Sequence, residues 1–360
     1  MAPVVNHLSK SAGFQSEVCV TAQHRQMLDQ VLDIFRVTPD YDLNLMKPGQ
    51  GLVQITAGVL DGLQCVLEES KPDIVLVHGD TTTSMAASLS AYYNRIPVGH
   101  VEAGLRTGNI YSPWPEEINR RVAGVISELH FAPTERAKEN LLTENVPVES
   151  ITVTGNTVID ALLEVVGLLD ADEERSAALD QELELDLSRR LILVTGHRRE
   201  SFGDGFQRIC DALAELAKDP TVQIIYPLHL NPNVKKPVEE RLSNYSNIKL
   251  ISPLDYLPFI HLMKRSSLII TDSGGVQEEA PSLGKPVLVV RDTTERPEAV
   301  EAGVLKLVGT DSQKIVIEAR SILDASSVRK DTQRLSNPYG DGMAATRILN
   351  ALDSWKDARK

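Results

Sequence analysis

A chain of 360 residues has room for two domains of about 150 residues each. Hydrophobic residues make up 42% and charged residues 24%, which excludes a disordered, collagenous or disulfide-stapled chain. Asp plus Glu number 50 against 37 Lys plus Arg, and the net charge of −13 opposes non-specific binding to nucleic acid or an anionic membrane.

In chain order, short β-branched runs alternate with longer amphipathic stretches. The runs Ile74–His78, Val98–Val101, His130–Ala132 and Ile151–Thr154 predict strands in a first half. Helical patterns over Gln26–Phe35, Leu52–Leu67 and Pro115–Ile126 accompany them. An acidic stretch without strand pattern, Leu168–Arg190, predicts a helix and linker. A second set of strands follows at Leu191–Thr195, Gln223–Tyr226, Ile248–Ile251, Leu268–Thr271, Val287–Val290 and Leu305–Val308. Helical patterns at Phe206–Leu216 and Pro258–Met263 lie among them, and Ala344–Trp355 predicts a closing helix. Nearly continuous apolar strands separated by helices predict parallel sheets covered on both faces, hence an α/β, doubly wound architecture. The expected organisation is a Rossmann-like lobe over 1–167, a second over 168–343 and a closing helix over 344–360.

Ligands of open α/β sheets sit beyond the carboxyl ends of the strands, so those ends carry the functional argument. The first-half strands run into His78-Gly79-Asp80-Thr81-Thr82-Thr83 and Val101-Glu102-Ala103-Gly104-Leu105-Arg106. Taken alone, Asp80 is more simply a helix cap. Ser112-Pro113-Trp114-Pro115-Glu116-Glu117 follows; Pro115 suits a first helical position and the two acids suit a positive helix terminus. Three acids at three successive turns are a stronger signal than any one of them. In the second half, Gly196-His197-Arg198-Arg199-Glu200 sets a His and two Arg at a strand end, as a phosphate would require. Thr271-Asp272-Ser273-Gly274-Gly275 offers small residues and a helix start for a diphosphate, with Glu279 further along the helix within reach of ribose hydroxyls. Arg291–Pro297 adds cations to the same rim, and Asn337–Gly342 reads as the turn before the closing helix.

No G-x-G-x-x-G, no P-loop and no Cys/His metal cluster occurs, so no redox cofactor and no metal is expected. Cys19, Cys65 and Cys210 are far apart and odd in number, which fits a reduced, cytoplasmic compartment. No apolar run approaches the roughly 18 residues of a membrane span, and the first residues lack the pattern of a secretory signal.

As a set these strings resemble the bacterial, non-hydrolysing UDP-N-acetylglucosamine 2-epimerases. The matching pieces are Thr21–Arg25, His78–Thr83, Gly99–Arg106, Pro113–Glu117, Thr195–Glu200, Thr271–Leu283, Arg291–Glu298 and Asn337–Gly342, in family order along essentially the whole chain. The resemblance implies a GT-B architecture, two Rossmann-like lobes facing a cleft that holds the nucleotide sugar, in a homodimer. It implies Asp80, Glu102 and Glu116 as catalytic acids, with His197 at the UDP moiety and counted with them. Phe259 would lie near uracil, Ser273, Gly274 and Gly275 at the diphosphate, Glu279 at the ribose, and Arg296 at a further UDP contact. Gln23, His24 and Gln26 match a second, activating nucleotide-sugar site, where Gly58 replaces a family Arg. The implied partners are UDP-GlcNAc, UDP-ManNAc and UDP, without nucleic acid or membrane.

The implied chemistry is reversible inversion at C2 through elimination of UDP to 2-acetamidoglucal and its re-addition, supplying ManNAc for cell-surface polysaccharide. Carboxyl groups on both faces of C2 would act as base and acid. The family opens with a strand ending in Gly-Thr-Arg-Pro-Glu shortly before Met-Ala-Pro, whereas this chain begins at Met1-Ala2-Pro3. A missing first strand would leave unpaired neighbouring edges and weaken nucleotide binding. Two alternatives therefore stand beside the epimerase: a hydrolysing relative releasing free ManNAc and UDP, and a truncated nucleotide-sugar binder without turnover.

Overall fold

The fold is described from a computed structural model covering all residues except 23–24, 46, 48, 197–202, 229–230, 295, 327–336 and 360. The chain divides into two compact units, Met1–Ala161 with Tyr339–Lys360, and Leu162–Pro338. The divisions fall at 161/162 and 338/339, not at the expected 167/168 and 343/344, and the closing helix belongs to the first unit.

In the first unit, β1 (Cys19–Val20) pairs in parallel with β2 (Tyr41–Asp42). A separate parallel sheet runs in the order β3 (Val75–His78), β4 (Val98–Val101), β5 (Leu129–Ala132), β6 (Ile151–Val153). Among the described residues β1 and β3 each have a strand partner on one side only. Alternation along β3 divides its side chains between two faces. Ile74 and Leu76 join Val101 and Phe131 under the helix Ala2–Lys10 and the closing helix Ala344–Asp357. Val75 and Val77 pack on the opposite side with Ala87, Ala91, Val98 and Ile126. Val59, Leu63, Val66 and Leu67 of the helix Leu52–Ser70 bring Cys19 and Tyr41 into one apolar cluster with Val75.

The second unit holds one six-stranded parallel sheet: β7 (Arg190–Thr195), β8 (Val222–Pro227), β9 (Ile248–Ile251), β10 (Leu268–Thr271), β11 (Val287–Val289) and β12 (Lys306–Leu307). Its order, β9-β8-β7-β10-β11-β12, is the doubly wound arrangement. The chain reverses direction across the sheet between β7 and β10, where Thr195 faces Thr271 in register. Ile192, Ile224, Ile270 and Leu288 form the sheet side of a core covered by Leu213, Val238 and Ile315. The acidic stretch between the sheets forms two helices, Thr157–Ala171 and Glu173–Glu182, so helix dominates where a linker was also expected.

Candidate functional site

The carboxyl ends of β3 and β4 run into neighbouring turns that carry Asp80 and Glu102. Gly79 turns left-handed at φ +67°, and a Cβ there would lie 3.0 Å from Glu102 Oε2. Glu102 therefore rests against the turn that presents Asp80. Its own backbone is left-handed, φ +65°, a conformation that costs energy for any residue with a Cβ and concentrates at functional turns. The Asn156 side-chain amide donates to Glu102 Oε1 at 3.0 Å, and the Asn156 N–H donates to Tyr339 O at 2.6 Å. The 337–342 string is thus more than a turn before a helix: Tyr339 helps seat the amide that holds Glu102.

Asp80 is not the cap of the helix Thr82–Tyr93. Thr81 has that role, accepting from Ser84 N–H, and Asp80 is left to make other contacts. Its carboxylate is ion-paired with Arg120, and its carbonyl accepts from Asn119 Nδ2 at 3.0 Å. Both partners lie on the helix Glu116–Ile126, which begins with Glu116 after an N-cap at Pro115. The first turn of that helix is thereby tied to the Asp80 turn. Glu116 Oε2 is buried and has no hydrogen-bond partner among the described residues. Buried polar atoms are normally satisfied, so this oxygen is open to a ligand group.

Beneath the Asp80 turn, His100 is wholly buried, with Nε2 2.8 Å from Gly79 O. Burial pushes this imidazole down to about 4, so at neutral pH the ring is uncharged and Nε2–H donates to the carbonyl. Glu117 is also wholly buried, at 0% exposure. It accepts from the N–H groups of Thr107 at 3.1 Å and Gly108 at 3.2 Å, and faces Arg121 at 3.3 Å and Arg120 at 3.7 Å. None of Arg120, Asn119, Asn156, His100 or Glu117 was expected at the site from sequence. Only the clustering of Glu117, Asn119 and Arg120 just after Glu116 could have signalled them.

In the second unit the switch point of the sheet carries Thr195 and Thr271, whose hydroxyls meet at 2.5 Å. Ser273 N–H is held by Thr271 Oγ1 at 2.9 Å. Ser273 caps the short helix Gly274–Glu279 without a side-chain cap bond, leaving its hydroxyl uncommitted to the helix start. A Cβ on Gly275 would meet nothing nearer than Ser273 Oγ at 4.0 Å, so this backbone is open to close approach. Glu279 is buried, and burial beside Glu278 lifts its carboxyl to about 8. The Tyr256 hydroxyl, 3.3 Å from Glu279 Oε1, opposes that rise. Tyr256 begins the helix Tyr256–Arg265, which also presents the half-buried Phe259 three residues on, on the same face. Arg296 is ion-paired with Glu278, and its N–H donates to Thr294 Oγ1 at 3.0 Å. Thr294 in turn donates to Gln277 Oε1 at 2.6 Å, joining the 291–297 loop to the Ser-Gly-Gly helix.

His197, Gln23 and His24 lie outside the described residues. Gln26 is on the helix Arg25–Ile34, and Gly58 sits mid-helix with open space enough for a Cβ, 3.7 Å from Leu45. Among the described residues no cluster of His, Cys, Asp and Glu could hold a metal ion, and no helix is long and apolar enough to cross a membrane.

Comparison with known proteins places these features in context. The family model described as UDP-N-acetylglucosamine 2-epimerase matches residues 6–353. The UDP-N-acetylglucosamine 2-epimerase of Salmonella typhimurium is 58% identical over 99% of this chain and 95% of its own. The crystal structure of the Neisseria meningitidis UDP-GlcNAc 2-epimerase bound to UDP-GlcNAc superposes with a TM-score of 0.89 at 52% identity, covering 98% of this chain and 96% of that one. The Methanocaldococcus jannaschii enzyme in complex with UDP-GlcNAc and UDP gives 0.80 at 34% identity, over 98% and 95% of the two chains.

Proposed function

The chain belongs to the UDP-N-acetylglucosamine 2-epimerase family, and on that premise we propose that it interconverts UDP-GlcNAc and UDP-ManNAc without net hydrolysis. The observation that carries the reading is the joined constellation of the first unit. Asp80 and Glu102 lie against one left-handed glycine, and Arg120 and Asn119 tie the helix that starts with Glu116 to the same turn.

The chemistry asks for such a set. The hydrogen on C2 is weakly acidic while the C1–O bond is intact. As that bond lengthens, positive charge develops at C1 and the C2–H bond becomes acidic. One carboxylate takes the proton, the electron pair forms the C1–C2 double bond, and UDP departs with the bonding pair of C1–O. A proton returned to C2 on the other face, with a diphosphate oxygen adding to C1, yields the epimer. Asp80, Glu102 and Glu116 supply the base and the acid. The unpartnered Oε2 of Glu116 and the left-handed backbone of Glu102 support this assignment.

The second unit supplies the leaving group's binding site. Ser273, Gly274 and Gly275 receive the diphosphate at the switch point, Glu279 the ribose, Phe259 the base, and Arg296 and His197 the charge of departing UDP. The buried glutamate beside Tyr256 and the open backbone at Gly275 support this placement. Gln23, His24 and Gln26 are assigned to a regulatory nucleotide-sugar site. The working form is a cytoplasmic homodimer, and its product feeds cell-surface polysaccharide.

Incubation with UDP-GlcNAc in deuterated water tests the reading. Deuterium at C2 of UDP-linked sugar, with UDP-ManNAc accumulating to equilibrium, is expected. Stoichiometric free ManNAc and UDP would make the enzyme a hydrolysing epimerase. Binding of UDP without isotope exchange would make it a non-catalytic binder.

A further inference from the structure

The chemistry above uses Glu116 and leaves its neighbour Glu117 without a role, yet Glu117 is the more deeply enclosed of the two. A wholly buried carboxylate is costly unless every lone pair is met by a donor or a cation. Here four groups converge on it. Oε2 takes the Thr107 N–H and faces Arg120; Oε1 takes the Gly108 N–H and faces Arg121. Two of these donors belong to the loop that leaves β4 after Glu102, and the cations lie one turn along Glu117's own helix.

We propose that Glu117 is a positioning residue that sets all three reacting carboxylates through one guanidinium and one loop; this rests on the assignment of those acids to the reaction. Arg120 stands between Glu117 and Asp80, facing the first through Nη1 and pairing with the second through Nη2. A guanidinium is planar with fixed donor directions, so anchoring one nitrogen fixes where the other points. Asp80 is therefore aimed from Glu117. The loop anchored at Thr107 and Gly108 runs from the Glu102 turn into the helix start at Glu116. The Thr107 hydroxyl, donating to Ser112 O at 2.6 Å, braces the same loop further on. Glu117 thus holds both ends of the segment that separates Glu102 from Glu116. Its contacts all lie in the first unit, so nucleotide binding by the second unit is independent of it.

The test is a mutant cycle on the full-length enzyme with Glu117→Gln, Asp80→Asn and the double variant. Epimerisation kinetics, UDP titration calorimetry and thermal melting are the readouts. Glu117→Gln is expected to lower kcat about 10- to 100-fold, since small misplacement of reacting groups costs that much, with KM and UDP affinity held within about threefold. In the double variant the penalties should be partly shared, because the arm through Arg120 is already idle once Asp80 has lost its charge: turnover should exceed the product of the two single losses by at least about threefold. Wild-type kcat in Glu117→Gln, multiplying penalties, or UDP affinity lost in step with kcat would each overturn the proposal. Should Glu117→Gln fail to fold, Arg120→Lys replaces it. That change keeps the charge and leaves Glu117 its two backbone donors and Arg121, and the same coupling to Asp80→Asn is expected. Wild-type turnover in Arg120→Lys would again overturn the proposal. Full activity of Asp80→Asn by itself would instead remove the underlying site assignment, an outcome distinct from the others.

Discussion

Asn156 Nδ2 donates to Glu102 Oε1 at 3.0 Å, joining two residues 54 positions apart in the chain. The bond orients a carboxylate whose own backbone is held left-handed, so Glu102 is fixed from both ends. Asn156→Ala leaves the acid in place and removes its guide. Turnover is expected to fall about tenfold or more. UDP titration of the same variant should give an unchanged Kd, because Asn156 lies in the first unit and the proposed nucleotide site in the second.

Glu102→Gln and Glu116→Gln each remove an acid while keeping its shape. Each should lower kcat by about 10²- to 10⁴-fold, the usual contribution of a proton-transferring side chain. Isothermal titration with UDP should show affinity within a few-fold of the parent. Parallel loss of rate and affinity would assign these acids to binding.

Glu279 gives a pH signature. Its carboxyl is raised to about 8 in the folded chain by burial, against an unfolded value near 4.5. Between those values the folded state binds the extra proton, so this group's contribution is full below about pH 4.5 and is lost as pH rises through about 8. Glu279→Gln removes the titration. Denaturant melts between pH 5 and 8.5 should lose stability with rising pH more steeply in the parent than in Glu279→Gln, by an amount on the order of a few kcal/mol. Tyr256→Phe deletes a hydrogen bond that lowers the Glu279 carboxyl, so its midpoint should move upward. Parallel pH profiles for parent and Glu279→Gln would refute the shift.

Gly104 follows Glu102 in a left-handed turn at φ +88°, and a Cβ there would fall 2.2 Å from the carbonyl oxygen of Ala137. Backbone cannot retreat as a flexible side chain can. Gly104→Ala should therefore destabilise the first unit by about 3 kcal/mol or more. A melting temperature equal to the parent's would show that the turn can rearrange.

The ten strands forecast from β-branched runs are all present, because a strand buried on both faces is apolar along its length. The two that were not foreseen, Cys19–Val20 and Tyr41–Asp42, are only two residues long. The helix Ala2–Lys10 was also missed: Pro3 reads as a breaker, yet a helix tolerates proline in its first turn. Asp80, Glu102 and Glu116 stand out in the sequence as candidates because they follow strand ends or open a helix. Their holders were not. Arg120 meets Asp80 across 40 positions, and Asn156 meets Glu102 across 54. Such pairings are created by the fold: local clustering could flag Arg120, but no local pattern names its partner.

The first unit is interrupted in sequence. Asp160 accepts from the N–H groups of Ala344 and Ala345 at 3.2 and 2.8 Å, and the helix these residues begin covers Ile74, Leu76 and Phe131. On the ribosome, the segment bearing the three acids therefore emerges first, but the helix Ala2–Lys10 covers that sheet face only in part until residues 344–357 are made. The contiguous second unit can close meanwhile. Domains usually mature in order of synthesis; here the second unit, though it begins later in the chain, is able to close before the first.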